Sequence, residues 1–229
     1  MKLGIIAAME QEARELVAQL SGMTQTVKAN QHFYEGTIHG KDVVLVQSGI
    51  GKVNAAIAAT LLIETYNVEA VINTGSAGGI GEGLSVEDLV ISSELAYNDA
   101  DARVFGYAFG QIPQMPDKYY SNPNLVGLFR NAAESKGWET KQGMIVTGDS
   151  FISDKKRILE IKDHFKDVLV TEMEGAAVAQ TCYQFNVPFA VIRAVSDVAD
   201  EDASLSFDEF IDKVGKKSAE TVIQFISLL

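Results

Sequence analysis

The stretch VNAAIAATLLIETYNVEAVINTGSAGGIG, residues 53–81, decides the fold. Val53 to Tyr66 is long enough for a helix and is rich in small and aliphatic residues, whereas Ala70 to Thr74 is a short, β-branched-rich run typical of a buried strand. That strand leads into Gly75 to Gly81, in which four of the residues are glycine. A helix feeding a strand that ends in a glycine-rich segment is a unit of an α/β fold, whose ligands collect beyond the carboxyl ends of the strands.

The same alternation continues outward on both sides. Further strands are expected at Lys2 to Ala8, His32 to Ile38, Asp42 to Gln47, Asp88 to Ala96, Lys141 to Thr147, Val168 to Thr171 and Phe189 to Ala194, with a hairpin turn at His39-Gly40. Further helices are expected at Glu10 to Leu20, Asn124 to Ser135, Lys155 to Asp163, Gly175 to Phe185 and Phe207 to Ser227. The last opens on a capping box, Ser206 with Glu209, and carries an apolar stripe through Phe210, Val214, Val222 and Phe225. No linker interrupts the pattern, which predicts one domain over residues 1–229 with a largely parallel sheet covered by helices on both faces. Only Asn98 to Pro123 lacks a period. Its aromatics Phe105, Tyr107 and Phe109 read as a loop that covers a site or meets another subunit.

Composition narrows the function. With 19 Lys and Arg against 31 Asp and Glu, the net charge of −12 opposes a phosphate-tracking role, so nucleic acid is not an expected partner. The single cysteine, Cys182, has apolar neighbours and reads as a buried thiol in a reducing, cytoplasmic compartment. Lys2 and the apolar run Leu3 to Met9 resemble the start of a signal sequence, but Glu10 and Glu12 follow at once, and no run approaches a membrane span.

Beyond the strand ends stand Met9-Glu10-Gln11-Glu12, Ser48 to Gly51, the Gly75 to Gly81 segment, Gly148 to Ile152, Glu172-Met173-Glu174-Gly175 and Ser196-Asp197. Three carboxylates, Glu12, Glu174 and Asp197, therefore converge on one edge. Helical phase places Glu12 with Ala13 and Leu16 on the inward side, although an acidic residue at a helix start is also favoured by the macrodipole alone. Glu174 in isolation suits plain capping, and Asp197 suits a solvated loop, as do Asp200, Glu201 and Asp202. Familiar glycine motifs fail on spacing. Asn54 and Leu84 stand where a dinucleotide fingerprint needs glycine, and Val53 follows Gly51-Lys52 where a phosphate loop needs Ser or Thr. His32, His39 and His164 have no ligand spacing, no Gly-x-Ser-x-Gly elbow exists, and neither a metal nor an organic cofactor is expected. What remains is carboxylate acid–base chemistry beside an aromatic, Phe151.

Five motifs in order, Gly4-Ile-Ile-Ala-Ala-Met9-Glu-Gln-Glu12, Ser48-Gly-Ile-Gly-Lys-Val-Asn54, Asn73-Thr-Gly-Ser-Ala-Gly-Gly79, Thr171-Glu-Met-Glu-Gly-Ala176 and Arg193-Ala-Val-Ser-Asp197, resemble the 5′-methylthioadenosine/S-adenosylhomocysteine nucleosidases of the nucleoside phosphorylase and hydrolase superfamily. The resemblance runs end to end. It implies a single-domain, three-layer α/β fold whose mixed, twisted sheet is partly closed into a barrel. It also implies a cytoplasmic homodimeric hydrolase that releases adenine from methylthioadenosine, S-adenosylhomocysteine and 5′-deoxyadenosine, serving methionine salvage and by-product recycling. Carried over by motif, Glu12 activates water with help from Ser76 and Arg193, within a Ser76-Ala77-Gly78 wall. Glu174 and Met173 hold the ribose, Asp197 oriented by Ser196 protonates the purine, and Phe151 and Ile152 receive the base. Met9, Ile50 and Phe207, with Phe105 and Pro113 from the neighbour's Asn98 to Pro116 loop, line the 5′-thioether pocket. Ala102 stands where the family often carries a larger aliphatic side chain, which leaves the balance between methylthio and homocysteinyl groups open. Phosphorolysis, for which Lys52 and Arg193 are the available cations, and a non-catalytic nucleoside-binding relative are the competing expectations.

Overall fold

The structure, a computed structural model, describes residues 1–198 and 203–229. Asp200, Glu201 and Asp202 lie outside the described residues. The chain runs β1 (Leu3–Ala7), α1 (Glu10–Gln19), β2 (Ser21–Lys28), β3 (Gln31–Ile38), β4 (Lys41–Gln47), α2 (Lys52–Glu64), β5 (Ala70–Gly79) and β6 (Leu89–Tyr97). After a single 3-10 turn come β7 (Tyr119–Tyr120), α3 (Pro123–Ser135), β8 (Thr140–Thr147), α4 (Lys155–His164), β9 (Val168–Glu172), α5 (Gly175–Phe185), β10 (Phe189–Asp197) and α6 (Ala203–Ser227).

The strands form one sheet in the order β10-β6-β8-β9-β5-β1-β4-β3-β2, with β7 added to β6. A further pairing of β10 with β5 closes β5, β9, β8, β6 and β10 into a five-stranded ring, from which β1, β4, β3 and β2 extend as an open wing. The sheet is mixed rather than largely parallel, because closure brings β9 antiparallel to β5 and β6 antiparallel to β10. The pattern of alternating helices and strands fixes neither of those pairings.

Strand β5 does most to shape the site. It pairs with β1 from Ala70 to Thr74, then leaves it, stays on β10 as far as Gly78, and meets β9 at Gly78 and Gly79. The residues read as a glycine-rich segment after the strand are thus mostly strand themselves. Their small side chains fit a crowded bend: a Cβ on Gly75 would lie 2.5 Å from Arg193 Nη1 and 2.6 Å from Glu12 Oε1.

Helices cover both faces. α1, α3 and α6 bury Leu16, Phe129 and Phe225 against one face, and the rings of Phe129 and Phe225 stack at 4.1 Å. On the other face the alanine-rich α2 and α5 pack closely through Ala55, Ala58, Ala59, Ala176 and Ala179, with Cys182 fully buried among them. Burial pushes that thiol up to about 12. Helix α6 begins at Ala203, so Ser206 and Glu209 lie within it and are not its capping box. β2 is not among the expected strands: all eight of its residues are exposed, so no buried face imposes a period on its sequence. Among the described residues no helix is long and apolar enough to cross a membrane.

Candidate active site

A cavity of about 390 Å³ opens where β1 and β5 part. Its size falls within the range of small-molecule sites. Past Ala7 the chain turns into α1, and the backbone amides freed by the parting strands all find one acceptor. The N–H groups of Ala8 and Met9 donate to Glu12 Oε2 at 3.1 Å each, while the N–H and hydroxyl of Ser76 donate to Oε1 at 2.9 Å each. Glu12 is accordingly buried, at 2% exposure, on the face predicted by its helical phase, whereas Glu10 and Arg14 point to solvent.

The second carboxylate, Glu174, stands at the start of α5. Its Oε1 accepts from the N–H of Gly51 at 2.9 Å and its Oε2 lies 3.5 Å from Arg193 Nη2. Burial pushes the carboxyl up to about 8; Arg193 pulls it down and the neighbouring Glu172 pushes it up again. The third, Asp197, ends β10 at 1% exposure, and its Oδ2 accepts from Ser196 Oγ at 2.8 Å. A solvated loop is therefore not its environment.

Thirteen of the residues singled out in sequence line this one cavity: Met9, Glu12, Ile50, Ser76, Ala77, Gly78, Phe151, Ile152, Met173, Glu174, Ser196, Asp197 and Phe207. Phe151 and Phe207 meet edge to face at 5.7 Å, and Phe151 and Ile50 remain about half exposed, which marks the mouth. Three residues stand apart. Arg193 lies behind the wall, 1% exposed, bonded to Asn73 Oδ1 at 2.5 Å and paired with Glu172. Phe105 is 80% exposed and, like Pro113, lies outside the lining of this chain's own cavity. Other residues of that loop are anchored: Phe109 stacks on His164 at 3.9 Å, and Ile112 and Met115 pack on the core.

Glu172 and Asp208 also line the cavity, beyond the three carboxylates expected there from the sequence. The signal for Glu172 was present, since an Arg in the middle of the buried strand Phe189–Asp197 requires an anionic partner. The described lining thus holds five carboxylates and neither Lys nor Arg. Lys52, the other cation considered for phosphate, is engaged elsewhere by Asp99 at 2.7 Å and Asp149 at 3.7 Å.

Comparison with known proteins shows the family in which this sheet topology and this acidic, partly apolar cavity occur. The family model described as Phosphorylase superfamily matches residues 2–227. A 5′-methylthioadenosine/S-adenosylhomocysteine nucleosidase of an Exiguobacterium species is 50% identical over 224 residues, 97% of this chain and 96% of its own length. The solved Neisseria meningitidis nucleosidase of that name, in complex with methylthio-immucillin-A, superposes with a TM-score of 0.98 at 44% identity, covering 100% of this chain and 99% of the other. An S-adenosylhomocysteine nucleosidase from Streptococcus pyogenes, bound to 5-methylthiotubericidin, gives 0.97 at 41% identity, covering 100% and 97%. The chain belongs to the phosphorylase superfamily and, within it, to the 5′-methylthioadenosine/S-adenosylhomocysteine nucleosidases.

Proposed function

We propose that this protein hydrolyses the N-glycosidic bond of 5′-methylthioadenosine and S-adenosylhomocysteine, releasing adenine and the corresponding 5-thioribose, and that 5′-deoxyadenosine is a further substrate. The observation that carries the reading is the convergence of Glu12, Glu174 and Asp197 in one cavity whose described lining has no cation. Cleaving the bond between C1′ and N9 leaves positive charge on the ribose ring and sends the bonding pair to the purine. Asp197, turned by Ser196, gives a proton to N7 of the leaving base. Glu12 takes a proton from the water that attacks C1′, with Ser76 fixing the carboxylate. Arg193 acts from behind the wall through Glu172 and Glu174. Glu174, beside Met173, accepts hydrogen bonds from the ribose hydroxyls.

Phe151 stacks on the base and Ile152 meets its edge, while Met9, Ile50 and Phe207 form the apolar seat of the 5′-thioether. Exposed Val104 and Phe105 support a homodimer in which the Asn98 to Pro116 loop, with Phe105 and Pro113, closes the neighbour's pocket. The same reading extends to a cytoplasmic enzyme that serves methionine salvage and the recycling of S-adenosylmethionine by-products. It uses no cofactor.

Phosphorolysis is disfavoured because a phosphate would enter beside the Glu12 carboxylate without a basic residue in the described lining to receive it. Adenine release from methylthioadenosine, followed in phosphate-free buffer and again with phosphate, separates the readings. Free methylthioribose without phosphate is the expected product. A sugar 1-phosphate formed only with phosphate overturns the hydrolase, and no turnover in either buffer favours a binding protein. Asp197→Asn is expected to lower kcat by about 10² to 10⁴ while adenine affinity holds; turnover within a few-fold of the parent removes Asp197 as the acid.

A further inference from the structure

Two carboxylates stand two residues apart at the start of α5, and their surroundings divide the work between them. The N–H groups of Glu174 and Gly175 donate to Glu172 Oε2 at 3.0 and 2.7 Å, and the N–H of Ala176 donates to Thr147 Oγ1 at 2.8 Å. Thr147 Oγ1 in turn donates to Glu172 Oε1. The opening amides of a helix have no partner inside it, and here Glu172 and Thr147 satisfy them. Glu174, at the N-cap position, makes no side-chain cap bond.

The seat of Glu172 is built for it. A Cβ on Gly175 would lie 2.7 Å from Leu95 Cδ2 and 3.1 Å from Glu172 Oε1, so glycine at this position gives the carboxylate room over the helix start. Glu172 also takes the near contact with Arg193, which Glu174 reaches only at 3.5 Å. Without Glu172, both the helix amides and the Arg193 guanidinium would draw the Glu174 carboxylate out of the cavity.

We infer that Glu172 is a positioning residue for the reaction: by capping α5 and occupying Arg193, it leaves the Glu174 carboxylate turned into the cavity and available to the ribose hydroxyls. This rests on the assignment of Glu174 to the ribose. The charged groups facing Glu174 are Arg193 from β10, Glu172 from β9 and Glu12 from α1, with the Gly51 N–H before α2. Removing the Glu172 charge takes away a like charge and frees Arg193 for Glu174, both of which lower the pH at which Glu174 ionises.

The test compares full-length Glu172→Gln and Glu174→Ala with the parent on methylthioadenosine, over roughly pH 5 to 9. Glu172→Gln is expected to lose about 100-fold in kcat/KM, to keep its inhibition by adenine, and to shift the ionisation limb of its pH profile downward. A purely structural residue would lower melting temperature and active fraction while leaving that limb and KM in place. Glu174→Ala impaired with Glu172→Gln at parental kinetics overturns the inference alone. Both variants at parental kinetics overturn the ribose assignment and the inference with it. Should Glu172→Gln not fold, Thr147→Val removes one of its donors and retains its charge. A loss of about tenfold in kcat/KM with unchanged adenine inhibition then supports the inference, and parental kinetics overturns it.

Discussion

Two helix starts face the cavity, and they treat their carboxylates in opposite ways. At α1 one residue does everything: Glu12 accepts the N–H groups of Ala8 and Met9, takes two more hydrogen bonds from Ser76, and lines the cavity. At α5 the tasks are split, with Glu172 taking the helix amides and Glu174 facing the cavity with one backbone N–H and a distant guanidinium. A carboxylate that satisfies its own backbone is locked in place and stabilises the fold. One relieved of that work is a buried carboxyl held in place by its surroundings, and its raised ionisation point records the cost of charging it there.

The comparison breaks most visibly at Glu12. Glu12→Gln keeps the shape but presents an NH₂ to a pair of donors, so it is expected to lose catalysis and stability together. The rate should fall by about 10² to 10⁴ if Glu12 is the base, and orphaning a buried N–H should cost about 1 to 3 kcal/mol. Adenine-release kinetics and thermal denaturation on one preparation check both. A fall in rate without a fall in melting temperature would mean that Glu12 is not fixed by its own backbone.

Glu174→Gln should lose activity and gain stability, the reverse pairing. A carboxyl raised to about 8 in the folded state binds a proton there that the unfolded chain releases near its ordinary value of 4.5. Its protonated form thus favours the fold at low pH, and that advantage is lost as pH rises through about 8. The neutral amide does not titrate, so the melting temperature of Glu174→Gln relative to the parent should rise between these limits and level off above them. A difference flat with pH would refute the contrast between the two helix starts.

Gly75→Ala tests the wall between the two sites, because its Cβ would press on both Glu12 Oε1 and Arg193 Nη1. Crowding of this kind typically costs about 1 to 3 kcal/mol. Loss of activity should accompany it, since the Glu12 carboxylate is one of the groups that must move. Parental activity with lowered stability would place the strain on Arg193 alone.

The sequence conveys the architecture where burial imposes a period and loses it where burial is absent or complete. Helical phase turns Glu12 inward because Ala13 and Leu16 share its face, and the structure buries all three. The exposed ribbon β2 has no such phase, and the glycine run 75–79 lacks side chains to mark it as strand. Ring closure depends on the contact of Gly78 with Thr171, which no local pattern encodes. The run Thr171-Glu-Met-Glu-Gly offers two carboxylates for one cap, and local propensity cannot choose between them. Thr147 on β8 and Arg193 on β10 make the choice, so it becomes legible only when those strands are brought beside β9.

A third helix start supplies the smallest expected effect and sets the scale for the others. Asp149 Oδ1 accepts the N–H of Lys52 at 2.8 Å, holding the beginning of α2 from a distant loop, and the adjacent Gly51, at φ 99°, directs its N–H to Glu174. Asp149 thus resembles Glu172 in capping a helix for the benefit of Glu174, but it is half exposed and Asp99 retains Lys52 when it is removed. Loss of such a cap typically costs about 1 kcal/mol, and the exposed ion pair adds little. Asp149→Ala is therefore expected to lower the melting temperature slightly and to raise KM for methylthioadenosine by a few-fold, with kcat nearly unchanged. If it instead matched the loss expected for Glu172→Gln, the orientation of Glu174 would be controlled from the Gly51 side, and the cap of α5 would be secondary.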